Sequence, residues 1–71
     1  MKRAWEKDQE LGSITVVVYG QHKTEGCKFC TETIGKSVLD YLSPAALEKE
    51  KADSITRAEN ALVEAGCEVI A

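Results

Sequence analysis

The side chains with the richest chemistry in this 71-residue chain are three cysteines and one histidine. Cys27 and Cys30 form a C-x-x-C pair with Lys28 and Phe29 between them, and Cys67 stands far along the chain. At the start of a helix this spacing puts both sulfurs on one turn. One thiol then attacks a disulfide as thiolate, and the second resolves the mixed disulfide. The exposed N–H groups and the positive end of the helix dipole favour the thiolate of the first cysteine. On that basis Cys27 is the expected nucleophile and Cys30 the resolving thiol. Lys28 adds positive charge, with Lys23 and His22 available from the loop before it. This chemistry needs no cofactor. The same thiols suit a metal in the alternative: His22, Cys27, Cys30 and Cys67 include the ligand types of a four-coordinate zinc site.

The elements around the motif follow from composition and period. Ile14-Thr15-Val16-Val17-Val18-Tyr19 is a β-branched run bounded by Gly12-Ser13 and Gly20, and it predicts a strand. Its near-continuous apolarity is that of a parallel strand covered on both faces. Gly20 to Gly26 predicts a polar loop. Cys30, Ile34, Val38, Tyr41 and Leu42 then recur at helical spacing and predict an amphipathic helix ending near Leu42. Ser43 is a good N-cap and Pro44 suits the first helical position. A second helix should therefore run from there to Ala65, with Ile55, Ala58, Leu62 and Ala65 on its apolar face. Asp53-Ser54 marks a point where it could break. Gly66 fits the residue after the helix, and Cys67 to Ile70 predicts a short final strand.

The predicted class is α/β, a small βααβ unit whose crossover is expected to be right-handed. Residues 1–12 form a tail or a short helix that Gly12 ends, with Trp5 covering the edge of the core or, in the alternative, contacting a partner. Residues 13–71 form the domain. Tyr19 and Tyr41 are expected at the core edge with their hydroxyls outward. Gly35-Lys36-Ser37 lacks the upstream glycine of a phosphate loop and is set aside.

Val16-Val17-Val18-Tyr19-Gly20 followed by Gly26-Cys27-Lys28-Phe29-Cys30 resembles the opening of glutaredoxins and other small thioredoxin-fold proteins. Phe29 stands at the usual aromatic position of that motif, and Lys28 where glutaredoxins commonly carry proline. Ala61 to Val69 resembles the helix end and second strand. The likeness spans about a quarter of the chain. It implies a thioredoxin-like half fold, with thiol–disulfide exchange at Cys27 and Cys30 supported by Lys28 and Phe29. It also implies a protein or small thiol or disulfide as substrate. The family's later strands have no counterpart, and a homodimer could supply the missing sheet edge.

Composition narrows the other classes. A net charge of −3 with acids and bases interleaved leaves no basic stripe for nucleic acid. The longest apolar run is far short of the roughly 20 residues that span a bilayer. Met1 to Trp5 leads into Glu6, Lys7 and Asp8 instead of the apolar core of a secretory signal, so a cytoplasmic protein is expected. A hydrophobic share of 44% with 30% charged residues is that of a folded domain. A non-catalytic protein-interaction module therefore stands beside the redox and zinc readings.

Overall fold

The computed structural model describes residues 4–70. In chain order the elements are β1 (Glu6–Lys7), β2 (Ile14–His22), β3 (Gly26–Ile34), α1 (Lys36–Tyr41), α2 (Pro44–Glu64) and β4 (Cys67–Val69). β2 runs three residues beyond the predicted strand, and a three-residue turn at 23–25 sends the chain back as β3. Gly26 supplies the left-handed residue that leaves the turn, at φ 82°. His22 ties the turn together: its Nδ1 accepts from the backbone N–H groups of Thr24 (3.2 Å) and Glu25 (3.1 Å).

The largest departure from the sequence expectation lies here. Cys27 and Cys30 sit within a strand, not at a helix start, and α1 begins only at Lys36. The helical stripe misled because Cys30 and Ile34 are four apart, a spacing that shares one face in a strand as well as in a helix. Thr31, Thr33 and Ile34 are β-branched, and β2 offers a nine-residue partner, from Ile14 opposite Ile34 to His22 opposite Gly26.

β2 is the centre of the sheet. β3 lies along one side, while β1 and β4 share the other, β1 at the start of β2 and β4 at its end. Every pairing is antiparallel. The class is mixed α/β as expected, but the strand–helix–helix–strand order is corrected to a hairpin first, then both helices. No parallel crossover joins the two predicted strands.

α2 starts where Ser43-Pro44 predicts, with Ser43 Oγ accepting from the Ala46 N–H. It continues unbroken through Asp53-Ser54 to Glu64, and Gly66 follows at φ 87°. Ala58 and Leu62 pack on Val18 and Cys67, with Cys30, Ile55 and Val69 around them. Ala65, placed on the apolar face by sequence, is exposed. Ser54 is fully buried instead, its hydroxyl between Glu50 and Arg57. Arg57 continues across to Glu32 of β3 at 2.8 Å, clasping the helix to the hairpin.

Among the described residues of the N-terminal stretch there is no helix; residues 1–3 lie outside them. Asp8 diverts the chain by accepting from the N–H groups of Glu10 and Leu11, and Gly12 completes the turn at φ 71°. β1 then pairs Glu6 with Thr15 and Lys7 with Ile14. Trp5, just before it, is half-buried. No described helix is long and apolar enough to cross a membrane.

Candidate functional site

Alternation along the hairpin sorts its residues onto two faces. Toward α2 point Val16, Val18, Gly20 and His22 of β2, and Lys28, Cys30, Glu32 and Ile34 of β3. Val16, Val18 and Ile34 are buried there. Gly20 lets the layers close: a Cβ at this position would stand 3.0 Å from Cys67 Cβ and 3.3 Å from Leu62 Cδ2.

The opposite face carries Thr15, Val17, Tyr19 and Gln21 against Thr33, Thr31, Phe29 and Cys27. Tyr19 is 50% exposed and Phe29 67%. Their rings lie 6.5 Å apart at 53°, a tilted aromatic pair. Thr15 and Thr33 hydroxyls share a hydrogen bond of 2.9 Å, and Cys27 Sγ donates to Gln21 Oε1 at 3.4 Å. This surface was missed at the sequence level, although Cys27, Phe29, Thr31 and Thr33 alternate with the residues facing α2. Tyr41, expected at the core edge, is 89% exposed on α1.

The two faces separate the predicted site residues. Cys27 lies on the open face beside Phe29, while Cys30 points toward α2 and packs against the core. Three residues of extended chain span about 10 Å, beyond the roughly 7 Å at which two cysteine Cα atoms can be bridged without moving the backbone. Cys67 pairs with His22 on the far side of β2, two strand spacings, or about 10 Å, from β3. All three thiols are free. The zinc alternative has its four residues split in the same way, with Cys27 on the face opposite His22, Cys30 and Cys67. Among the described residues no group of three or more His, Cys, Asp or Glu side chains is placed to hold a metal ion.

His22, Lys28, Cys30, Leu62 and Cys67 do line one open cavity of about 250 Å³, shared with Glu25, Phe29 and α2 residues Ala61 and Ala65. Its rim holds the exposed pair Lys28–Glu25, at 2.8 Å. The hydrogen bond from Lys28 and its charge hold the Glu25 carboxyl below the usual carboxylate range, with His22 adding to the effect. Lys28 is raised in turn, chiefly by its hydrogen bond to Glu25. The ion pair occupies the lysine that the sequence reading assigned to Cys27, so Lys28 is directed along the turn toward Glu25.

Backbone polarity completes the site. Asp8 N–H donates to Ser13 O at 2.8 Å and Ile70 N–H to Tyr19 O at 3.0 Å. Odd-numbered groups near and within β2 therefore face β1 and β4, and the even-numbered ones bond to β3. Opposite them Lys28, Cys30 and Glu32 turn their N–H and C=O groups inward. Those of Cys27, Phe29, Thr31 and Thr33 point outward, where no described strand pairs with β3.

Fold and site together define a small α/β domain: an antiparallel sheet backed by one long helix, with one face and one long edge left uncovered by the described residues. No protein-family model, curated protein or solved structure matches the chain.

Proposed function

We propose that this protein is a non-catalytic interaction module that docks another polypeptide on the β2–β3 hairpin. The observation that carries this is the nine-residue β3 edge lying beside the exposed Tyr19–Phe29 pair. An extended segment added to β3 would satisfy the outward N–H and C=O groups of 27, 29, 31 and 33. Its side chains would reach the aromatic pair on the same surface. Such an edge is a liability unless something covers it. Thioredoxin-like exchange through Cys27 and Cys30, and zinc binding by His22, Cys27, Cys30 and Cys67, draw their support from residue type and spacing alone.

The test is photo-crosslinking in the producing cell, with a photoreactive side chain at position 29 and, as a control, at the exposed position 41. A discrete adduct from 29 is expected. It should vanish with Thr31→Pro and persist when all three cysteines are serine. Adducts no stronger from 29 than from 41 would contradict docking on the hairpin. Loss of the adduct on removing the thiols, with Thr31→Pro harmless, would return the function to the cysteines.

A further inference from the structure

The proposed use of the hairpin for docking leaves the partner open, and the residues of β3 specify one. We infer that the β3 edge pairs with β3 of a second copy of this chain, antiparallel and centred on Cys30, so that two sheets join into one.

The register follows from charge and from the ladder. An axis perpendicular to the sheet at residue 30 sets each position opposite its mirror across 30. Lys28 then faces Glu32 of the second copy, and Glu32 faces Lys28, giving two opposite-charge pairs from one strand sequence. Centring on 28 or 32 would set like charges face to face, and centring on 29 or 31 would leave Lys28 opposite Cys30 or Ile34. At 30, Phe29 and Thr31 of opposing copies form hydrogen-bonded pairs through the groups that point outward. Cys30 faces its own copy in a non-hydrogen-bonded pair, where side chains are closest and Cα atoms are about 4.5 Å apart. That separation lies inside the disulfide range of roughly 4.4–6.8 Å.

The packing supports the same occupant. Phe29, 67% exposed in the single chain, becomes the diagonal neighbour of its own copy on the open face, within reach of an aromatic ring. Arg57 of α2 bonds Oε1 of Glu32 at 2.8 Å and holds this carboxylate on the same sheet face as Lys28. Among the described residues Lys28 pairs with Glu25 at the surface, the kind of exposed ion pair that contributes little. The sheet's two edges also differ. Opposite β3, the outer strands are β1 and β4, of two and three residues, and short edges of that kind resist further pairing. Joining at β3 covers the one long edge and closes the assembly at two copies.

The test is sedimentation of the purified full chain over a concentration series, with four variants. Wild type is expected to dimerise. Thr31→Pro is expected to stay folded and monomeric, since its lost N–H points away from β2. Lys28→Glu alone and Glu32→Lys alone should each dimerise about tenfold more weakly, because two symmetry-related pairs turn like-charged. An equimolar mixture of those two variants should form the mixed dimer, in which both pairs are again opposite in charge. In the Cys27→Ser/Cys67→Ser variant, diamide should take up one hydrogen from each remaining thiol and leave a Cys30–Cys30 disulfide between copies. Wild type that remains monomeric, or a dimer indifferent to Thr31→Pro, would overturn the inference. A monomer whose position 29 still crosslinks to a different protein would overturn the second copy while leaving hairpin docking in place.

Discussion

The two faces of the β2–β3 hairpin are made by the same eighteen strand residues, nine in each strand, and differ in what covers them. Toward α2, Val16 and Val18 are wholly buried and Gly20 is kept bare so that Leu62 and Cys67 can approach. On the other side an aromatic pair, a threonine pair and Cys27 face outward. The closed face holds the fold together, and the open face is surplus to it. Function is to be sought where burial does not account for the residues.

Substitutions that break the closed face should have the largest effect. Leu62→Ala removes a nearly fully buried side chain from the centre of the helix–sheet contact and is expected to cost about 3 kcal/mol. That is a large share of the roughly 4–10 kcal/mol that a domain of this size holds, and urea denaturation reads it directly. Gly20→Ala tests the same contact from the sheet side. Its new methyl meets Cys67 Cβ at 3.0 Å, so a loss of about 1–3 kcal/mol is expected by overpacking. A Gly20→Ala protein as stable as wild type would mean the layers sit farther apart than described. On the open face, Tyr19→Ala with Phe29→Ala should cost only about 1 kcal/mol in the same experiment. The pair should nonetheless weaken the concentration-dependent self-association of the chain, read by sedimentation. A large stability loss there would show the aromatic face to be part of the core.

What the sequence disclosed and what it concealed divide along physical lines. Ser43-Pro44 and Gly66 mark α2 accurately because caps act locally. β2 was legible from its β-branched run, and β4 from its place after Gly66. β3 was concealed because Cys30, Ile34 and Val38 satisfy a helical period, and the decision between helix and strand rested on the distant residues of β2. The same error set the reading of Cys27 and Cys30. With a helix expected, both sulfurs share a turn; in the strand they part to opposite faces, and Phe29 emerges as a surface aromatic. Around Trp5 the sequence suggests only a helix or a tail, because a two-residue strand held by an Asp8 turn has almost no periodic signal.

Amide hydrogen exchange along β3, followed residue by residue at low and high protein concentration, tests the central claim most directly. In dilute solution the amides of Lys28, Cys30 and Glu32, bonded to β2, should be protected, while those of Phe29 and Thr31 exchange freely. At high concentration Phe29 and Thr31 should become protected too, as the second copy closes the edge. Uniform protection or uniform exchange from Cys27 to Thr33 in dilute solution, or outward amides that stay open at every concentration, would contradict a free β3 edge that docks its own copy.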